Sequence, residues 1–346
     1  MAYPRFADIS RNFAPGWFAA VMGTGVLATT TLRLAGDWPL LALPASILHW
    51  FNSLLFVALA VPWLVRWLRF QPAALATLRH PVQASFYPTF SIALLVLAAQ
   101  WLAFGAPVGV ALALWWLGVI MHFAFSFAIL FVMFRGEHVS AEHVTPAKFI
   151  PAVGLVVMPL AGGPLLAQAD GALREWMLTV NVIGLGAGSM MYLGLLGLTL
   201  HRKYLHAPAQ GVLTPTVWIH LAPIGVIPVS LLLVVEQLPF PALREAAIVL
   251  MLLVWGFGVW WLVMASLLTL AARAAGQLPF ALSWWGFTFP LGAFASESLR
   301  LKALLGWHSA YAIGVVAWLL LCFLWAVTLL RTARGVASGA IFQPPG

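Results

Sequence analysis

The chain alternates between long apolar stretches and short polar segments, and the apolar stretches come in pairs. The pairs begin near Phe13, Val82, Phe149, Leu213 and Leu278, about 65 to 70 residues apart, a spacing that indicates five copies of one two-helix unit. A helix needs roughly 20 apolar residues to cross about 30 Å of hydrocarbon. The pattern therefore predicts ten spans, at residues 13–35, 44–68, 82–104, 108–134, 149–168, 174–200, 213–236, 244–272, 278–297 and 306–331.

These spans predict an all-α integral membrane protein in which ten transmembrane helices pair into five helical hairpins. The hairpins cover approximately residues 13–68, 82–134, 149–200, 213–272 and 278–331, within a single transmembrane domain over residues 1–346. The polar leader before the first span has no convincing cleavage site, so the first span is expected to be mature structure.

Proline interrupts the first span of each pair, whereas the second span is mostly uninterrupted. Broken helices inside a membrane usually line a cavity. The five odd-numbered spans are therefore predicted to surround one central axis, with the even-numbered spans facing lipid or neighbouring subunits. The interrupting residues are Pro15, Pro88, Pro151, Pro159, Pro223, Pro228 and Pro290.

Composition supports a membrane protein and excludes several other classes. Hydrophobic residues make up 63% of the chain and charged residues 8%, and the mean hydropathy is +1.00, values that no soluble domain has. The basic residues are scattered over short loops, so no nucleic-acid partner is expected despite a pI near 10.4. The single cysteine, Cys322, excludes an intramolecular disulfide, and the absence of a phosphate-loop motif argues against an ATP-driven protein.

The 17 Lys and Arg residues divide unequally between the two sides that the ten spans define. Basic loops are retained in the cytoplasm, so we expect a multi-pass protein of the cell inner (plasma) membrane with both termini cytoplasmic. On the predicted cytoplasmic side lie Arg5, Arg11, Arg66, Arg69, Arg79, Arg135, Lys148, Arg202, Lys203, Arg273, Arg331 and Arg334. On the opposite side lie Arg33, Arg174, Arg244, Arg300 and Lys302.

Small, hydroxyl-bearing and helix-breaking residues recur about eight to twelve residues into the odd-numbered spans. At this depth they can turn backbone N–H groups and half-helix ends toward a cavity, which would solvate an anion without a fixed cation. The same residues could instead be kinks that help the hairpins to pack. They are Gly23, Thr24, Gly25, Thr89, Pro159, His220, Pro223, Thr288, Phe289 and Pro290.

Three strings carry a resemblance to a known family: FAPGWFAAVMGTG at residues 13–25, FIPAV at 149–153 and SWWGFTFPLG at 283–292. Their order and spacing resemble the tellurite-resistance/dicarboxylate transporter family, which includes fungal malate permeases, sulfite efflux pumps and plant slow anion channels. The resemblance extends over essentially the whole chain. Unlike the plant channels, the chain is not expected to carry long cytoplasmic tails.

The resemblance implies a homotrimer in which each subunit has its own pore, with the five hairpins in quasi-fivefold symmetry. It also implies a pore gate, a phenylalanine of the ninth span, which aligns with Phe289. Phe287 is the competitor if the register is off by two residues. By resemblance alone, the candidate substrates are sulfite, tellurite, chloride, nitrate and C4-dicarboxylates such as malate.

The shortage of ionisable residues within the spans bears on the mechanism. Glu236 and Glu297 fall at the outer ends of their predicted spans, so the acidic relay of a proton-coupled pump is missing. This favours a passive anion channel or uniporter that binds no cofactor. The alternative is a proton-coupled carrier of C4-dicarboxylates.

A membrane enzyme that holds haem or a metal through histidines is a more remote alternative. Haem ligation would require histidines at matched depths on facing helices, whereas His49, His201 and His206 lie near span ends. His138 and His143 could suggest a metal site, but they are five residues apart, so their rings fall on different helix faces. The candidates are His49, His122, His138, His143, His201, His206 and His220.

Overall fold

The computed structural model describes residues 3–80, 82–136, 144–205 and 211–342, and this part of the chain is helical without strands. The residues at positions 138, 143 and 206 lie outside it. Its α-helices are α1 Phe6–Arg11, α2 Ala19–Leu34, α3 Ala42–Arg69, α4 Gln71–Leu78, α5 Thr89–Ala103, α6 Val108–Phe134, α7 Phe149–Val153, α8 Met158–Leu166, α9 Gly171–Leu205, α10 Leu221–Val235, α11 Pro241–Ala274, α12 Thr288–Leu305 and α13 His308–Ser338.

Five of these helices form a closed ring. Helix α2 packs on α5, α5 on α8, α8 on α10, α10 on α12, and α12 returns to α2. Each ring helix also packs against the long helix that follows it, in the pairs α2 with α3, α5 with α6, α8 with α9, α10 with α11 and α12 with α13. We call the first set the inner helices and the second set the outer helices.

Burial separates the two sets. In the three membrane-length stretches that contain α5, α8 and α10, 72% to 83% of the residues are buried. In the stretches that contain the outer helices the share is 22% to 28%. The outer helices therefore present apolar side chains to their surroundings.

Eight stretches of the described chain are long and apolar enough to cross a membrane: Pro39–Arg69, Gln83–Ala103, Val108–Phe134, Pro146–Leu166, Gly171–Leu205, Gly211–Val235, Pro241–Ala274 and His308–Ser338. The first and ninth predicted spans correspond to α2 and α12, which are not among the eight. Both contain more polar residues, such as Thr29 and Arg33 in α2 and Glu297, Arg300 and Lys302 in α12. The ten-span arrangement stays a prediction.

Each inner helix begins with 3₁₀ geometry. Such turns cover Pro15–Phe18 before α2, Gln83–Phe86 before α5, Gly154–Val157 before α8, Gly211–His220 before α10 and Leu282–Phe287 before α12. Most interrupting prolines stand at these junctions: Pro88 is the N-cap of α5, Pro159 is the second residue of α8 and Pro290 is the third of α12. Proline is tolerated in a first turn because its missing N–H has no helical partner there.

Indole N–H groups tie the outer helices to the inner segments. In the described chain, tryptophans of α6, α11 and α13 donate hydrogen bonds to inner residues, and inner tryptophans donate to α11 and α13. This cross-bonding explains part of the high tryptophan content, because each bond satisfies a buried polar group while fixing the rotation of a helix. The pairs are Trp115 to the Met158 carbonyl, Trp261 to the Val217 carbonyl, Trp255 to Ser298, Trp318 to Thr31, Trp325 to Thr24, Trp218 to Thr269 and Trp285 to Thr332.

A polar cluster joins α12 and α13 to the loop between α2 and α3, at the end of the ring where the inner helices finish. Lys302 Nζ lies 3.0 Å from Asp37 Oδ2 and 3.8 Å from the centre of the Tyr311 ring. Hydrogen bonds from Tyr311 and Lys302 hold the pKa of the Asp37 carboxyl group below its ordinary value. The cluster therefore connects the first pair of helices with the last.

Candidate functional site

A cavity of about 780 Å³ lies inside the ring of inner helices. All five inner segments line it with their N-terminal halves, and so do residues near both ends of the described chain, among them Arg11, Asn12, Ile341 and Phe342. The cavity therefore lies at the end of the molecule that the distribution of Lys and Arg predicts to be cytoplasmic.

The cavity ends part of the way along the ring. Its lining stops at Met22 on α2, Ile92 on α5, Val157 before α8, Val226 on α10 and Pro290 on α12. Phe289, the residue before Pro290, lines the cavity yet is only 6% exposed, because its ring is packed among its neighbours. An apolar layer thus closes the inner end of the cavity.

Arg11 and Arg66 are the charged residues of the cavity lining, and no Asp or Glu is among the described residues that line it. Arg66 is 3% exposed, and its guanidinium group donates hydrogen bonds to the carbonyl of Phe13, the carbonyl of Ala73 at 3.0 Å and the hydroxyl of Thr77. These partners are neutral, so the cavity keeps a positive charge. Sequence reasoning assigned Arg66 only to the cytoplasmic loops, because nothing in the sequence predicted that helix α4 would bring Ala73 and Thr77 against it.

Four of the ten residues singled out in the sequence line the cavity: Thr89, Pro223, Phe289 and Pro290. Six do not: Gly23, Thr24, Gly25, Pro159, His220 and Thr288. Four of the ten also stand at the junctions between 3₁₀ and α-helical geometry, since Thr89 and Thr288 begin α5 and α12, Pro159 follows the first residue of α8, and His220 ends the 3₁₀ helix before α10.

The hydroxyl groups of the three predicted threonines are bound within the protein. Thr24 Oγ1 donates to the carbonyl of Ala20 at 2.7 Å and accepts from Trp325 of outer helix α13 at 2.9 Å. Thr89 Oγ1 lies 2.8 Å from the carbonyl of Pro15, and Thr288 Oγ1 donates to the carbonyl of Trp285 at 2.8 Å. Their main role here is to hold inner segments in place.

Two of the predicted glycines are sites of close helix approach. A Cβ atom at Gly23 would lie 1.9 Å from Thr288 Oγ1, so only glycine lets α2 and α12 meet at this level. A Cβ atom at Gly25 would lie 2.6 Å from Val96 and 2.9 Å from Asn52, which places Gly25 toward α3 and α5.

His220 lies between inner and outer segments, outside the cavity lining. Its ring centre is 4.7 Å from that of Phe149 and 4.2 Å from that of Trp261. Both ring nitrogens lack a hydrogen-bond partner in the described part of the protein. His49 instead contacts Gln100 at 2.9 Å. Within the described residues no three His, Cys, Asp or Glu side chains come together as a metal site.

The two neighbouring phenylalanines of the fifth pair differ in their surroundings. Phe287 is outside the cavity lining, and its ring packs 5.6 Å from Trp218 and 5.7 Å from Trp284, measured between ring centres. Phe289 lines the cavity, and its role as the gate stays a prediction.

Membrane-length helices packed around an internal cavity are typical of a multi-pass helical membrane protein. The sequence profile of the voltage-dependent anion channel family matches residues 12–333. The chain belongs to this family, which confirms the resemblance noted in the sequence, and it is therefore an anion transporter of a family made up of transporters and channels.

Similarity to individual relatives extends over most of the chain. An uncharacterized transporter of Methanocaldococcus jannaschii is 41% identical over 97% of this chain and 97% of its own length. A sulfite efflux pump of Arthroderma otae is 27% identical over 84% of this chain and 82% of its own. A protein of Schizosaccharomyces pombe provisionally named a malic acid transport protein is 18% identical over 98% of this chain and 83% of its own.

Proposed function

We propose that this protein is a passive anion channel or uniporter whose pathway runs along the axis of the inner helices and is closed by Phe289. The observation that carries the proposal is the end of the cavity at the level of Phe289. A phenyl ring fills a lumen with apolar surface, and it can leave by a change of rotamer. Dewetted constrictions of this kind are a recognised gating device.

The charges of the cavity support an anionic substrate. Arg11 and Arg66 are not balanced by acidic residues in the described lining, and a low-dielectric wall strengthens their field. A cation entering the cavity would be repelled by the same two side chains.

For the substrate we favour a small inorganic anion, with sulfite first. Three relatives are sulfite efflux pumps, whereas tellurite, chloride, nitrate and malate rest on the family resemblance or on weaker similarity. With a negative cell interior, exit of one negative charge is favoured by about 2.3 kcal/mol per 100 mV. Efflux is therefore the direction that a passive pathway would support.

The proposal includes a topology and an assembly. All ten helices of the five pairs span an inner membrane, with both termini cytoplasmic. Three subunits with separate pathways associate through the apolar faces of their outer helices. The protein acts as a transporter rather than an enzyme and needs no cofactor. The trimer rests on the family resemblance, and light scattering of the purified protein would measure it.

The first test is a pair of single substitutions in liposomes, Phe289→Ala and Phe287→Ala. We expect Phe289→Ala to raise sulfite flux about tenfold or more, equivalent to a barrier lowered by about 1.4 kcal/mol. Phe287→Ala should leave flux at the wild-type level while lowering stability by about 3–5 kcal/mol, because it empties a packed site. Flux that stays at the empty-liposome level in Phe289→Ala would contradict the proposal.

One observation favours a second candidate, a proton-coupled carrier of C4-dicarboxylates. Glu297 was predicted at the end of its span, but α12 continues to Leu305, which leaves this residue in the middle of the helix. It is fully buried, and neither carboxyl oxygen has a hydrogen-bond partner in the described part of the chain. Ionisable groups buried at membrane depth are commonly proton relays in coupled transporters.

The substitution Glu297→Gln separates the two candidates, because it keeps the shape of the side chain but removes the titratable proton. For a passive channel we expect flux to change less than about twofold, a change of under about 0.5 kcal/mol. For a coupled carrier, malate uptake driven by a pH gradient would be lost while downhill exchange of malate continued. Radiolabelled malate in liposomes with and without a pH gradient gives both readings.

A further inference from the structure

We propose that Arg33 and Arg300 form a second anion-binding site on the axis of the ring, beyond Phe289, which takes a compact oxyanion such as sulfite. The site would hold an anion on the far side of the apolar layer from the cavity. This proposal deepens the proposed function and rests on it.

The spacing along α12 places Arg300 on the same helix face as the gate position. Phe289, Ala293, Ser296 and Arg300 are separated by four, three and four residues, which is the repeat of one helix face. Most of the other residues in this stretch are fully buried, whereas Ser296 and Arg300 are partly exposed. Arg300 therefore follows the axis about 16 Å beyond Phe289, at 1.5 Å per residue.

Helix α2 repeats this spacing. Met22, Val26, Thr29 and Arg33 are also separated by four, three and four residues, and Met22 lines the cavity as Phe289 does. Exposure again increases along the stripe, from 7% at Met22 to an exposed side chain at Arg33. Two neighbouring inner helices thus carry an arginine at equivalent positions.

Direct contacts hold the two stripes together just before the arginines. Thr30 Oγ1 and Ser296 Oγ lie 2.8 Å apart, and a Cβ atom at Gly292 would lie 2.3 Å from Val26. The positive charges of Arg33 and Arg300 are close enough to repel one another. Two like charges held on adjacent helices gain from an anion placed between them.

The nearby acidic groups do not pair with these arginines by hydrogen bonds or ion pairs within the described residues. The carboxylate of Asp37 is paired with Lys302 at 3.0 Å. The carboxylate of Glu236 is paired with Arg244 at 3.4 Å, and its negative charge also attracts Arg300 without a direct contact. Glu297 is buried, and both its oxygens lack a partner. The donors of both guanidinium groups therefore remain available.

The chemistry of the guanidinium group selects the class of ligand. Its planar fork donates two parallel hydrogen bonds to an anion with two or more oxygens, which a monatomic halide cannot accept in the same way. Sulfite should therefore bind more tightly than chloride.

The experiment compares the double variant Arg33→Gln/Arg300→Gln with Lys302→Gln. Lys302 is the matched control, because it lies on α12 two residues beyond Arg300 and has the same charge, but it is bonded to Asp37. Two readouts are used: the sulfite concentration that gives half-maximal current in the Phe289→Ala background, and the thermal stabilisation of purified protein with intact Phe289 by sodium sulfite, with sodium chloride at equal ionic strength as reference.

We expect the double variant to raise the half-maximal sulfite concentration about tenfold and to lose the thermal stabilisation by sulfite. In Lys302→Gln the half-maximal sulfite concentration should stay within about twofold of the value of its parent protein. In the Phe289→Ala background, an equal half-maximal sulfite concentration with and without the two arginines would overturn the proposed site. If Phe289→Ala carries no current but sulfite stabilises the protein only when both arginines are present, the site stands and the proposed channel fails.

Discussion

Gly23 sets the distance between two inner helices. Its missing side chain leaves room for Thr288, whose hydroxyl group is itself fixed by a hydrogen bond to the carbonyl of Trp285. Any larger residue must move α2 or the start of α12, and Phe289 is the next residue along. A residue outside the cavity lining thus controls the position of one inside it.

The substitution Gly23→Ala should therefore lower the free energy of unfolding by about 1–3 kcal/mol, the usual cost of overpacking. Thermal unfolding in detergent measures the change. Adding Thr288→Ala should recover part of the loss, because it removes the atom nearest to the new methyl group. Gly194→Ala on α9 is the matched control: apart from the backbone of its own helix and its chain neighbours, no atom lies within 4 Å of a Cβ there, so stability should be unchanged or slightly higher. Equal effects of the two alanines would contradict this role of Gly23.

At the scale of the helices, prolines and hydropathy were sufficient to predict which segments lie inside. The interruptions at Pro15, Pro88 and Pro290 lie at or near stretches where 3₁₀ geometry changes to α-helix, and the mostly uninterrupted segments form the outer helices, although α3 contains Pro62. These features are local, because a proline acts on its own turn. They could therefore be predicted without knowing how the helices pack.

The faces of the inner helices could not be predicted in the same way. Thr24 and Gly25 lie on inner helix α2, but partners on distant segments, Trp325 and Val96, show that they face neighbouring helices. The rotation of a helix depends on such long-range contacts. The position of Glu297 in the middle of α12 was missed for a related reason, since the charges that follow it resemble the end of a span.

At the scale of the whole molecule, the ring must be closed between its first and last pairs, and the Asp37 cluster contributes to that closure. The pKa of Asp37 is lowered in the folded protein by hydrogen bonds from Tyr311 and Lys302. A carboxyl group with a lowered folded-state pKa adds stability above its unfolded pKa of about 3.9, and this stability is lost as the pH falls through the folded value.

We therefore expect Asp37→Asn to lower the melting temperature slightly at pH 7. The difference from wild type should shrink as the pH falls below the unfolded pKa of about 3.9, and it should disappear once the pH is below the lowered pKa of the folded Asp37 carboxyl group. Melting curves of both proteins between pH 3 and pH 7 would measure this. A difference that is constant over that range would mean that the charge of Asp37 plays no part in closing the ring.

The closed ring also has a consequence for inheritance. Since α12 returns to α2 within one polypeptide, the described residues that line the cavity all belong to one copy of the chain. In an assembly that mixes normal and altered copies, a copy with a blocked pathway would not stop transport through its neighbours. A copy that lacks the Phe289 ring would conduct without opening the others. Loss-of-function alleles should then be recessive, and the activity of a mixed population should rise in proportion to the number of working copies.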